Sequence, residues 1–255
     1  MPGIVMLIGP GLSSNILYHA LAEEFPIDAV ICEQPVPTSV LLKRRIKKLG
    51  LRTVVGQVLF VGAVLPIVRF RSRRRSQQIV AQNKLNISGI PHERIVNVDS
   101  VNSPTTIATL QRLSPRVVVV NGTRIISETV LNAVKAMFIN THVGITPLYR
   151  GVHGGYWALV SRDPEHCGVT IHQVDRGIDT GSIIAQACIH PTADDTFATY
   201  PLLQFARAIP LLKQAVSDAM KGSLIPIQSP PGASRLWSHP TVWQYLRGLA
   251  VLGVR

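Results

Sequence analysis

Short apolar runs of strand length, each followed by a helix-like segment, recur through this chain and leave few folds open to it. Ile4 to Ile8 comes first and ends in Gly9-Pro10-Gly11, after which Ser13 or Ser14 can cap an amphipathic segment reaching Phe25. Asp28 to Cys32 follows within a few residues. Arg94 to Val98 precedes a helix over Pro104 to Leu113, and Arg116 to Val120 is apolar enough for a strand covered on both faces. A short helix over Ser127 to Val134, a strand over Met137 to Thr141 and a helix over Gly154 to Ser161 keep the rhythm. This alternation predicts an α/β, Rossmann-like, mostly parallel sheet flanked by helices, with right-handed crossovers.

Cys167 to Val174 and Ser182 to Ile189 read as two further strands joined by a glycine-containing turn, and Thr196 to Met220 as a long helix, breakable at Pro201 or Pro210. The 255 residues fit one main domain over 1–221 and an extension over 222–255, with Trp237, Trp243 and Tyr245 as packing anchors. Residues 34–92 break the pattern and are read as an elaborated insertion. The apolar run Val54 to Val68 inside it, interrupted by Gly56, Gly62 and Pro66, is short for a membrane span.

Charge locates the unusual region. The net charge is +12, yet eleven Lys and Arg residues and no acid lie between Lys43 and Arg75, and outside that stretch fifteen basic residues face fourteen acidic ones. Positive flanks around an apolar middle suit peripheral contact with an anionic membrane through residues 43–75; a crossover helix with solvated basic ends is the plainer reading. Nucleic acid is a weaker expectation, because Phe60 and Phe70 are the segment's aromatics and offer little stacking surface. Cys32, Cys167 and Cys188 form no CxxC pair, so neither a disulfide framework nor a metal site is expected. With no basic stretch ahead of Ile4 to Ile8, a cytoplasmic protein is the expectation.

The residues able to do chemistry cluster late. Asn140-Thr141-His142 ends a strand, where open α/β sheets place their ligands, and Pro147 and Gly151 shape the loop that leaves it. Further on, Gly168-Val169-Thr170-Ile171-His172 leads to Asp175 and then Gly177-Ile178-Asp179-Thr180-Gly181. Together these segments resemble the signature of the formyltransferase family, which includes glycinamide ribonucleotide, methionyl-tRNA and sugar N-formyltransferases. The resemblance is strong from about Arg116 to Gln186 and general elsewhere. Many family members carry Pro-Ser after the histidine, where this chain has Val143-Gly144.

The resemblance implies Asn140, His142 and Asp179 as catalytic residues, 10-formyltetrahydrofolate as co-substrate, and residues 1–221 as the catalytic domain. An amine attacking a formamide carbon generates an oxyanion and an ammonium. Asn140 can donate to the oxyanion, a protonated His142 can add a charged donor, and Asp179 can hold that proton and relay another. Asp175, four residues from Asp179, is the rival carboxylate.

By the same resemblance, Arg124, Ile125 and Ile126 with Val174, Asp175, Gly177 and Ile178 bound the folate. Read as residues alone, Ile125 and Ile126 serve equally as core. Gly9, Gly11, Ser13, Ser14 and Asn15 precede a helix, where free backbone N–H groups favour an anion, and with Arg150 and His153 they form the expected acceptor side. The loop lacks a full GxGxxG, and no acid stands convincingly at a ribose position, which argues against a dinucleotide. The expected acceptor is a small anionic amine, first a nucleotide-linked amino sugar and second glycinamide ribonucleotide. A methionyl-tRNA acceptor would call for a further barrel domain, for which the residues after Gly222 are too few. The remaining alternative is a non-catalytic protein that keeps the folate cleft and docks on membrane or nucleic acid.

Overall fold

The computed structural model describes residues 3–229 and 232–255, so Met1 and Pro2, at the head of the first apolar stretch, lie outside it. Seven strands form one sheet in the order β3-β2-β1-β4-β5-β7-β8. β1 (Ile4–Ile8), β2 (Ile27–Glu33), β3 (Ile95–Val98), β4 (Val117–Asn121) and β5 (Met137–His142) run parallel. β7 (Gly168–Gln173) and β8 (Ile183–Cys188) extend that sheet antiparallel, Asn140 facing His172 and His142 facing Thr170 in the register. A ribbon of β6 (Arg150–Gly151) and β9 (Leu236–Trp237) lies apart.

The centre of the sheet is dry because its residues are branched and apolar. Every residue of β1 and β4 is buried, as expected of parallel strands covered on both faces. Ile16, Leu17 and Leu21 of helix Leu12–Ala22 pack on one face with Leu202, Leu212 and Val216 of helix Tyr200–Lys221. Leu110 of helix Pro104–Leu113 packs on the other with Val101 and Val130. Helix Tyr200–Lys221 runs unbroken, with Pro201 in its first turn, where the missing N–H costs nothing, and Pro210 inside it.

The insertion is mostly helical between Thr38 and Gln82. It comprises helix Thr38–Leu49, a continuous 21-residue helix Leu51–Arg71, and helix Arg73–Gln82. Gly56, Gly62 and Pro66 do not interrupt the middle one, whose length and composition are therefore those of a membrane-crossing helix, although only 28% of its apolar window is buried. A π-helical turn at Phe60–Val64 accommodates the proline, whose ring would clash with an ordinary preceding turn and which has no N–H to give. Phe60 is fully buried against Phe197 and Tyr245, with ring centroids 4.9 and 5.0 Å away. Arg75 pairs with the buried Asp195 at 2.8 Å, and Gln57 donates to the carbonyl of His239 at 2.8 Å.

The C-terminal segment is more ordered than its composition suggests. Ile227 donates its backbone N–H to Ile183, and helix Val242–Leu252 starts with a capping box in which Thr241 and Gln244 satisfy each other's backbone groups. Thr-x-x-Gln before an apolar run is a readable start signal, here set among prolines and serines that read as loop. Two of the three anchors pack as expected: Tyr245 is buried and Trp237 stacks on Trp157. Trp243 does not, remaining 41% exposed while lying over Gly56.

Candidate active site

One large cleft, about 750 Å³, opens at the C-terminal ends of β4 and β5, where a parallel sheet leaves room between diverging loops. Its walls come from Val120 to Ile126, Asn140 to Val143, Val174 to Asp179, and, from outside the sheet, Arg45, Lys48, Gln57 and Trp237 to His239.

Asn140, His142 and Asp179 meet here. The Nδ1 of His142 lies 3.4 Å from Asp179, and its Nε2 is 2.7 Å from the carbonyl of Tyr149. A carbonyl oxygen only accepts, so Nε2 carries a proton, and Nδ1 is the ring nitrogen that faces the Asp179 carboxylate. Burial holds His142 below the ordinary imidazole range, opposed in part by the Asp179 carboxylate. Asp179 is the reverse case. Burial alone would raise it, but the His172 ring, His142 and the backbone N–H of Gly151, at 2.8 Å, outweigh that and keep it below the usual carboxylate range.

His172 belongs to this group, a role not expected from the sequence. Its Nδ1 donates to the Gln173 carbonyl at 2.8 Å, and its Nε2 stands between the Asn140 amide nitrogen, at 3.0 Å, and the Asp179 carboxylate, at 3.6 Å. Its position opposite Asn140 in the antiparallel register was the available signal. The rival carboxylate has other work. Asp175 accepts from Gly177 N–H at 3.0 Å and from the Thr180 hydroxyl at 2.8 Å, capping the turn that carries Asp179 inward.

The Val143-Gly144 departure has a steric meaning. A Cβ on Gly144 would stand 2.3 Å from the Tyr149 carbonyl and 2.6 Å from Nε2 of His142, in the space their hydrogen bond needs.

The remaining expected residues divide. Arg124, Ile125, Ile126, Val174, Asp175, Gly177 and Ile178 all line the cleft. Ile125 is exposed, whereas Ile126 is core. The guanidinium of Arg124 is committed to an ion pair with Glu33 at 2.6 Å and to the carbonyls of Gln34 and Asp99. Glu33 ends β2, where a dinucleotide fold would keep its ribose acid, but its carboxylate accepts from the backbone of Val101 and Arg124.

On the acceptor side only Ser13 of the glycine loop lines the cleft. Ser14 is buried, donating to Gly9 and accepting from Asn121, while Gly9 packs on the backbone of Gly122. Gly11 stands at the start of helix Leu12–Ala22, which no side chain caps, and Asn15 donates its backbone N–H to Gly11. Arg150 turns from the main cleft to a smaller one and donates to the Ile178 carbonyl at 3.0 Å. His153 remains on the cleft, its Nε2 2.9 Å from Nδ1 of His239; burial pushes these imidazoles down to about 3 and about 4. Arg45 and Lys48, read before only as members of a basic stretch, are cations on the cleft wall.

The sequence profile described as formyl transferase matches residues 42–202, well over half of the chain. The match starts within the insertion. Methionyl-tRNA formyltransferases of Anaeromyxobacter dehalogenans and Pelotomaculum thermopropionicum are 30% identical over 143 residues and 34% over 134. These alignments cover 56% and 51% of this chain but 46% and 41% of those proteins, so the chain spans about half the length of the curated relatives it matches. Among solved structures, glycinamide ribonucleotide transformylase 1 of Symbiobacterium toebii has a TM-score of 0.56 at 17% identity, over 89% of this chain and 92% of that one. The N-formyltransferase of Helicobacter canadensis, in complex with folinic acid and dTDP-3-aminofucose, has a TM-score of 0.55 at 16% identity, over 93% of this chain and 71% of that one. Both likenesses are of fold.

Proposed function

Since this chain belongs to the formyl transferase family, we propose that it transfers a formyl group from 10-formyltetrahydrofolate to a primary amine of a small anionic acceptor. The observation that carries this reading is the convergence of Asn140, His142 and Asp179 in one cleft with Arg45 and Lys48. The folate fits the backbone-rich wall of Val120 to Ile126 and Val174 to Ile178, with Ile125 offering an apolar face. When bound, it supplies the activated formyl group.

The side chains then have separable tasks. Asn140 shares one amide hydrogen with His172 and keeps the other for the oxygen that gains charge during attack. His142, held neutral by burial, takes the amine proton at Nδ1 while Asp179 stabilises the resulting imidazolium. A proton passes to the folate nitrogen as its bond to the formyl carbon breaks and tetrahydrofolate leaves.

Arg45, Lys48 and the uncapped helix start near Ser13 favour an anionic acceptor. A nucleotide-linked amino sugar is the first choice, in keeping with the ligand of the Helicobacter canadensis structure. Glycinamide ribonucleotide is the alternative, from the likeness to the Symbiobacterium toebii enzyme. Tetrahydrofolate release is to be measured with amino sugar nucleotides, glycinamide ribonucleotide and methionyl-tRNA. Release with a nucleotide sugar supports the first choice. Folate binding without acceptor-dependent release from any of them would favour a non-catalytic folate-cleft protein.

A further inference from the structure

Helix Leu51–Arg71 has two unlike faces. Val54, Gln57, Phe60 and Leu65 are buried against the body. On the opposite side Leu51 is 63% exposed, Ile67 55% and Phe70 71%, with Val55, Val58 and Leu59 exposed between them. No residue from Thr53 to Val68 is charged. Leu51, Val55, Val58, Gly62 and Pro66 recur every three or four positions and therefore form one stripe along the helix. Trp243 widens it, since its indole lies so close to Gly56 that a Cβ there would collide with the ring. Soluble monomers rarely leave so much contiguous apolar surface uncovered.

The charges this segment carries are all of one sign. From Gln34 to His92 there is no acidic residue. Helix Thr38–Leu49, which buries none of its residues, carries Lys43, Arg44 and Lys47 and leads through Gly50 into one end of the stripe at Leu51. Arg69, Arg71, Arg73 and Arg74 stand at the other, with no acid paired to them among the described residues, unlike Arg75. At 1.5 Å per residue the helix between Leu51 and Arg71 is about 30 Å long.

We propose that this face docks flat on an anionic lipid bilayer, with the apolar stripe in the acyl boundary and the two basic clusters on headgroup phosphates. The orientation follows from the packing. A helix crossing the bilayer would have to withdraw Phe60 from Phe197 and Tyr245 and Gln57 from His239, and cations at both ends serve a helix lying in the plane better than one spanning it. Protein is the other candidate cover, but a protein-covered patch of this kind is not ordinarily rimmed by unpaired cations alone.

Vesicle flotation with the full chain tests the proposal, using phosphatidylcholine vesicles with and without phosphatidylserine. The expected result is co-flotation with the anionic vesicles alone, weakened by salt. Neutralising three clustered arginines, Arg71→Gln with Arg73→Gln and Arg74→Gln, should lower partitioning on the order of a hundredfold. Val58→Ser with Phe70→Ser should lower it at least tenfold while leaving the melting temperature unchanged. Three results would each overturn the proposal: no binding to anionic vesicles, binding unaffected by Val58→Ser with Phe70→Ser, or a dimer in solution that this pair of changes dissolves.

Discussion

The corner formed by Asn140, His142, His172 and Asp179 and the outer face of helix Leu51–Arg71 break the same rule in opposite directions. In the corner, polar and titratable side chains are taken out of water: His142 is 5% exposed and His172 3%. Each has a partner, Tyr149 and Asp179 for one, Asn140 and Gln173 for the other. On the helix, apolar side chains stay in water with no partner in the fold. Buried polar groups must be satisfied or they cost stability, so the partners of these two histidines hold them in place. The exposed stripe costs the fold little and contributes little to it, which means its sequence answers to something outside the folded chain.

Substitutions on one helix separate those two cases most sharply. Phe60→Ala should cost about 3–5 kcal/mol in denaturant unfolding, since it empties a fully enclosed site. In the corner, Asn140→Ala should lower kcat by about two to three orders of magnitude with folate affinity retained, as read from single-turnover kinetics. Gly144→Ala should lose activity as well as stability, by about 1–3 kcal/mol, because its methyl group enters the His142–Tyr149 contact.

The histidine pair at the rim adds a dependence on pH. His153 and His239 have folded values of about 3 and about 4, against about 6.5 when unfolded. The folded state thus binds fewer protons, and stability falls as pH drops below about 6.5 towards those folded values. Between pH 7 and pH 5 the expected loss is on the order of 2 kcal/mol per ring, measured by urea unfolding, and His153→Phe should flatten the profile.

Arg45→Ala should raise KM for the acceptor about tenfold with kcat held, since a wall cation contributes binding rather than chemistry. Smallest of all, Phe70→Ser should move stability by no more than about 0.5 kcal/mol, the counterpart of Phe60→Ala ten residues earlier.

Much of this architecture is legible in the sequence because burial dictates it. The Val-rich β4 has to be a central strand, and Asn140 and His142 have to emerge at the end of β5. What escaped notice depends on contacts distant along the chain. Arg45 and Lys48 reach the cleft only because the insertion folds over it, and His239 because the C-terminal segment returns to His153. The role of Asp175 was open because two carboxylates four residues apart look alike until the turn's own N–H groups claim one of them. Helix Leu51–Arg71 looked interrupted because a π-turn that makes room for Pro66 leaves no simple signature in composition.

The central claim is that Asn140, His142 and Asp179 act as one formyl-transferring unit. Acceptor-dependent tetrahydrofolate release, followed across pH for the wild type and for His142→Asn and Asp179→Asn, tests it most directly. The account predicts wild-type turnover that persists below the ordinary imidazole pKa, because burial keeps His142 neutral there, and a fall of at least a hundredfold in both variants with folate binding intact. Undiminished release from either variant would contradict it.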